Sequence, residues 1–435
     1  MTHRRTMLAG MLGVVFALVF IAGPVAAQND QFFPLLVYRT GPYAPNGIPS
    51  ANGFRDYYDM VNKRDGGVNG VKISWEECET SYDTKRGVEC YEKLKARATV
   101  VHPFSTGITY QLIPKAAVDQ VPLWSSGYGR TATADGTVFP WAFNAPTTYW
   151  AQASAVINYI AQQEGGMDKL KGKKIAHVYH NSPYGKEANP TLEVLAQKFG
   201  YELTLLAVDH PGQEQKATWL QIRRLRPDYI YMSSWGVMGQ VAVKEAAAIS
   251  FPMDHFIGNW WSASEAEVVP AGSAANGYKG ATFNGAGPNW PVHQDILKHV
   301  YNGDQAKAKE NNWGEVLYNR TLVGAMANLE AVRVAQKRYG NRVITGAEMR
   351  WGMDNLDITA ARIKELGFDG MMRPLRITCA DHEGSGPVLI QQWDGAKWNP
   401  VSDWIPVMRD VVRPMIEQSA MEYAKENNIT PRKCE

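Results

Sequence analysis

The chain is poor in cysteine and in unbalanced charge, and it lacks the short motifs of common catalytic centres. Its four cysteines, Cys78, Cys90, Cys379 and Cys434, show no C-x-x-C spacing, and no histidines cluster beside them. Metal binding is therefore a weak rival to disulfides, and no metal site is expected. The formal net charge is +2, and Arg4 and Arg5 account for it. Without the first 27 residues, the remaining 408 balance 43 basic against 43 acidic side chains. A neutral chain without basic runs has no footprint for nucleic acid or an anionic membrane. No G-x-S-x-G elbow, P-loop or H-E-x-x-H occurs, so an enzyme lacks support, although catalytic groups can converge from distant positions. No low-complexity segment is present, and no stretch beyond the N-terminus approaches 18 apolar residues, which leaves a soluble chain once that segment is removed.

The N-terminus is the exception. Residues 1–27 carry a short basic head, an apolar run from Met7 to Val25 and small residues ending at Ala27. That is the pattern of a cleaved secretory signal peptide. Gly10, Gly13, Gly23 and Pro24 interrupt the run, which argues against a membrane anchor. No cysteine at the cleavage point offers a lipid anchor, so the expected location is the periplasm. Arg4-Arg5 leaves a twin-arginine route open beside the general secretory one. In an oxidising compartment the cysteines should pair. Local pairing, Cys78 with Cys90 and Cys379 with Cys434, is expected, among the three connectivities that four cysteines allow.

The 408 residues suit two domains. Short β-rich runs alternate with helical patterns, which predicts an α/β fold with parallel sheets. The first series places strands at 34–40, 71–75, 99–104, 121–125 and 141–144. Its helices fall at 50–64, 83–97 and 109–119, and a long helix over 148–164 leads out of it. A second series has strands at 174–180, 202–208, 228–233, 255–259 and 279–284, with helices at 186–199, 214–225 and 238–248 between them. Helices at 292–301 and 313–338 follow, then a β-rich tail over 373–404 and a last helix over 411–426. Two sheets in succession suggest two lobes around a cleft, with ligands at the carboxyl ends of the strands.

Gly127-Tyr128-Gly129-Arg130-Thr131-Ala132 matches a dinucleotide fingerprint in letters, but loop residues follow it, and Tyr149 and Trp150 stand where an acid is needed. A turn at the cleft edge is the better reading, and no cofactor is expected. Ser105-Thr106-Gly107 ends a strand and opens a helix, a natural seat for a carboxylate or carbonyl oxygen as well as a simple N-cap. Ser125-Ser126-Gly127 ends the next strand similarly. Trp235 and Trp260-Trp261 also follow strands, so aromatic rings can wall the cleft.

The order of segments resembles one family. Gly41-Pro42, Gly66-Gly67-Val68-Asn69-Gly70, Ser105-Thr106 and Ser182-Pro183-Tyr184-Gly185 resemble the periplasmic solute-binding proteins of the leucine/isoleucine/valine-binding type, which serve ABC importers. The resemblance implies two Rossmann-like lobes with three crossings, the type I periplasmic-binding-protein fold. It places residues 28–146 with 288–375 in one lobe, and 147–287 with 376–435 in the other. It implies a monomer that closes on a small molecule and delivers it to a membrane permease. By the same resemblance Ser105 and Thr106 hold the ligand carboxylate, and Ser126, Gly127 and Gly129 add backbone and hydroxyl contacts. Tyr184 and Trp235 line the second lobe, and Tyr43–Asn46 closes over the ligand. Beyond the resemblance, Trp260 is expected to help enclose the ligand body, with Asn259 as a polar contact. Amino-acid binders carry an acid at the position matching Trp260 and a threonine matching Gly129. Their absence points away from an ammonium and toward a carboxylate or amide with an apolar or aromatic body. An ordinary branched-chain amino acid binder, a sensor feeding a membrane receptor and an exported enzyme remain alternatives.

Overall fold

Strand β1 (Gln31–Val37) is buried at every position, as its apolar run requires of a strand covered on both faces. A computed structural model describes residues 29–384 and 386–434, so the expected signal segment lies outside the described residues. β1 pairs in parallel with β2 (Ile73–Glu79), Gln31 opposite Ile73. Single bridges, Leu35 to His102 and Val101 to Leu123, continue the order to β3 (Leu123–Ser125). β3 in turn lies parallel to β4 (Ala142–Asn144). The strand expected over 99–104 is reduced to those bridges. Pro103 has no N–H to donate to a ladder, and Phe104 turns out of the extended region at φ 55°.

Helices α1 (Ala44–Asp65), α2 (Thr84–Leu94) and α3 (Thr106–Asp119) belong to this first lobe. The largely buried helix Val316–Tyr339 packs along α1. α1 starts six residues before the expected 50: Pro45 falls in its first turn, where the missing N–H costs nothing, and Pro49 is accommodated inside the helix at the cost of one hydrogen bond. Cys78 on β2 is bonded to Cys90 on α2, with Cα atoms 5.8 Å apart.

α4 (Tyr149–Glu164) leads to a seven-stranded sheet. Its parallel part comprises β5 (Lys174–His180), β6 (Glu202–Val208), β7 (Tyr229–Ser233), β8 (Phe256–Gly258) and β9 (Lys279–Thr282), in the order β6-β5-β7-β8-β9. A short antiparallel pair, β10 (Asp357–Ile358) and β11 (Leu375–Arg376), stands apart. β12 (Leu389–Trp393) then returns to lie antiparallel to β9, and β13 (Trp398–Pro400) finishes the edge. The helix expected over 186–199 is divided into Pro183–Lys186 and Asn189–Phe199.

The sequence boundaries assign the whole of 376–435 to the second lobe. The strand pair β12-β13 joins that sheet. The closing helix Arg409–Glu426 also reaches the first lobe, where Ala420 and Ala424 cluster with Leu112, Ala116 and Phe139. A second disulfide, Cys379–Cys434, and a two-pronged Arg432–Asp354 contact at 2.7 and 2.9 Å tie down the tail. Among the described residues no helix is long and apolar enough to cross a membrane.

Candidate ligand-binding site

Phe104 and Ser105 set the geometry of the site. The chain leaves the first sheet through Phe104 in the left-handed region and becomes extended at Ser105 (φ −157°), the N-cap of α3. Ser105 Oγ accepts from Ile108 N at 3.4 Å. Thr106 Oγ1 accepts from Gly129 N at 3.1 Å, and the same hydroxyl meets that of Tyr149. The amides of Thr106 and Gly107 begin the helix and have no acceptor within it. They add the positive end of a 14-residue helix to two hydroxyls.

Aromatic side chains line a small cavity of about 20 Å³ above this seat. From the first lobe come Tyr38, Tyr82, Phe104 and Tyr128, with Tyr149 at the start of α4. The second sheet contributes Tyr184, Trp235 and Trp261 from the ends of its strands. Trp261 is the hub: Trp235, Tyr128 and Phe104 meet it edge-on, with centroids at 5.4, 5.7 and 6.0 Å. Burial pushes the Tyr128, Tyr149 and Tyr184 hydroxyls far above the usual phenol range, so they stay protonated. Trp235 Nε1 is buried without a hydrogen-bond acceptor among the described residues. None of the residues lining the cavity is acidic.

The lobes meet around this cavity in a closed seam. Val237 N donates to Pro42 O at 3.0 Å. Asn46 accepts from Gly236 N and donates to Glu267 Oε1, both at 2.9 Å. Tyr43 OH lies 3.0 Å from His180 Nε2, and burial holds that imidazole neutral by pushing its pKa down to about 4. Glu187 accepts from Thr131 N at 2.6 Å and from the Tyr110 hydroxyl. The Gly127 carbonyl accepts from Trp260 Nε1 at 2.8 Å and Trp261 Nε1 at 3.1 Å. Gly127 has φ 71°, and a Cβ there would lie 2.9 Å from Phe283 and 3.0 Å from Trp260, so glycine alone fits this approach comfortably.

Of the eleven residues expected at the site, Ser105, Thr106, Tyr184 and Trp235 line the cavity. Tyr43 lines a more polar vestibule outside it, with His180 and Asp83. Asn46 is engaged in the seam. Ser126 Oγ accepts from Trp124 Nε1 at 2.9 Å, and Gly129 orients Thr106. Asn259 Oδ1 accepts from Trp261 N at 2.9 Å and lies 3.0 Å from the Tyr184 hydroxyl, so it braces the wall from behind. Trp260 is fully buried, stacked beside Tyr149 with centroids 6.0 Å apart and bonded to Gly127; its neighbour Trp261 forms the wall. The glycines at 127 and 129 lead to a short 3₁₀ turn, Thr131–Ala134, with no α-helix to seat a dinucleotide. Tyr38, Tyr82, Phe104, Tyr128 and Tyr149 were not singled out from sequence as site residues, and Trp261 only as one of the rings that can wall the cleft. Tyr128 stands between the two glycines already marked as a cleft turn, which is the one signal that pointed to it.

The fold has counterparts. A family model described as periplasmic binding protein matches residues 31–397. The chain belongs to the periplasmic binding protein family. A solved structure from the Pseudomonas fluorescens group, described as an ABC transporter permease, is 44% identical, with a TM-score of 0.87 over 94% of this chain and all of that one. A branched-chain amino acid ABC transporter protein from Thermus thermophilus with bound valine shares the fold at 21% identity, with a TM-score of 0.73 over 89% of this chain and 99% of that one. An R. palustris ABC transporter solute-binding protein in complex with benzoate does so at 17% identity, with a TM-score of 0.69 over 87% and 97%. A search of curated proteins finds no match.

Proposed function

We propose that this chain is the extracytoplasmic solute-binding component of an ABC importer, and that it carries a small carboxylate with a flat or apolar body. The observation that carries the reading is the cavity itself. Ser105 and Thr106, which open α3 with two hydroxyls, line a chamber of rings, and no acidic side chain stands in its wall. A carboxylate finds donors there, whereas a ligand ammonium would be buried without a charged partner, which is costly. Aromatic walls favour a planar body. The family consists of binding proteins, and the fold relatives described with valine or benzoate each hold a small carboxylate. On this reading the leader is removed on export to the periplasm, the carrier is monomeric, and its macromolecular partner is a membrane permease. Residues 28–146 with 288–375 and residues 147–287 with 376–435 would move as the two lobes, joined by three crossings.

A thermal-shift screen followed by calorimetry tests this. Benzoate, phenylacetate and short aliphatic carboxylates should include a stabilising ligand, while leucine and valine should bind far more weakly. Strong stabilisation by leucine or valine, with no response to the simple acids, would overturn the ligand class.

A further inference from the structure

Arg320 is the one arginine among the largest fully buried side chains, and it stands in the second turn of the helix Val316–Tyr339. Its guanidinium crosses to the second lobe. Nε donates to Asn284 Oδ1 at 3.0 Å, Nη2 to Thr282 Oγ1 at 3.2 Å, and Nη1 to the Trp260 carbonyl. Every one of these partners is neutral. The group lies between two rings, with Cζ 5.0 Å from the Trp261 centroid and 4.9 Å from that of Phe283. Glu267 and Glu265 act on it through space, and burial biases both toward their uncharged forms. A buried cation with no ion partner is expensive and calls for a compensating anion. Trp261 is also a wall of the ligand cavity, so the charge sits directly behind that wall. A cation bound to one face of an aromatic ring draws on its negative face, which eases the approach of an anion from the other side. The positive end of α3 reinforces the same sign.

We propose that Arg320 selects the charge of the ligand. Its guanidinium behind Trp261 serves as the distant counter-ion of an anionic ligand, and its bond to the Trp260 carbonyl makes that charge available when the lobes close. This rests on the carboxylate reading above and adds a residue to it. Arg320 is a positioning and charge-selecting residue that does not touch the ligand, so loss of affinity alone would not identify its role.

The decisive quantity is the affinity ratio between a carboxylate and its primary amide, which have nearly the same shape. Benzoate and benzamide are measured by calorimetry on the wild type, Arg320→Lys, Arg320→Gln and Arg320→Met. The wild type should prefer benzoate strongly. Arg320→Gln and Arg320→Met should cut the ratio by about tenfold or more, and Arg320→Lys should retain most of it. An equal loss for both ligands in the neutral variants overturns the proposal, because a purely structural residue would act that way. Should those variants not fold, the wild type still decides, since benzamide binding as tightly as benzoate overturns charge selection. If leucine binds in place of both aromatic probes, the carboxylate reading falls. The role of Arg320 is then read from leucine against leucinamide in the same variants.

Discussion

Thr106 serves two purposes at the start of α3. Its hydroxyl oxygen accepts from Gly129 N at 3.1 Å, and the same hydroxyl, shared with Tyr149, lines the ligand cavity. Valine has nearly the same shape, so Thr106→Val should leave the cavity intact while removing both uses of the hydroxyl. Carboxylate affinity should fall about tenfold or more, as for other hydrogen bonds to charged groups, with stability lowered by about 1 kcal/mol. Thr106→Ser should retain most of the binding. Calorimetry with a parallel thermal melt separates the two effects, and an unchanged dissociation constant would remove Thr106 from the anion seat. The Ser105-Thr106 seat was legible in sequence because a hydroxyl pair between a strand and a helix has one local geometry, the N-cap. The aromatic wall was less so. Trp260 and Trp261 are adjacent in a loop, where no periodicity says which ring turns inward; packing made in the fold, Trp260 beside Tyr149 and Phe283 and Trp261 against Trp235 and Phe104, decides it.

Glycine at one strand end controls whether two elements can touch. Gly236, just before the helix Val237–Ala248, has φ 64° and ψ −139°. A Cβ there would stand 2.4 Å from Pro42 O and 2.8 Å from the Tyr43 ring, both in the opposite lobe. Gly236→Ala therefore strains its own backbone by about 1–3 kcal/mol and props the seam open. Ligand affinity should drop about tenfold or more, and small-angle scattering with saturating ligand should give a larger radius than the wild type. A ligand-bound radius equal to that of the wild type would mean that the backbone absorbs the methyl group without opening. Most elements were legible because they obey local rules. β5 and β6, for example, were expected at 174–180 and 202–208 and occupy those positions. The failure over 99–104 came from giving the apolar run Val100-Val101 more weight than Pro103, whose missing N–H ends a ladder. The positive φ at Phe104 cannot be read from a phenylalanine at all, because that residue is rarely found there.

The whole molecule closes over titratable groups, and that makes binding depend on pH. Glu267 is fully buried in the seam, where it accepts from Asn46 Nδ2 at 2.9 Å across the lobes and from Ser264 N at 2.9 Å. Burial pushes its pKa from 4.5 up to about 7. Glu265 accepts from Val316 N at 3.0 Å; burial, with the nearby Glu315 carboxylate adding to it, pushes its pKa up to about 8. If the lobes part, water reaches both groups and restores the ordinary carboxylate range. Between roughly pH 4.5 and 8 the closed form therefore holds more protons than the open one, so closure weakens as pH rises through that window. His180 opposes this at the acid end. Its pKa is pushed from 6.5 down to about 4 in the closed form, so protonation in the open form competes with closure below about pH 6.5. Arg320, held at about 9 by burial, stays charged throughout. Two carboxylates outweigh one imidazole, so affinity for an aromatic carboxylate should fall with rising pH across roughly pH 4.5–8, gently on the acid limb where His180 offsets one carboxylate and more steeply on the alkaline limb above about pH 6. Calorimetry at pH 7.5 in buffers of different ionisation heat should show proton uptake on binding. Glu267→Gln keeps the shape and the contact with Asn46 but cannot ionise, so it should flatten the alkaline limb and reduce that uptake. A pH profile identical to that of the wild type would place the titrating group elsewhere than Glu267.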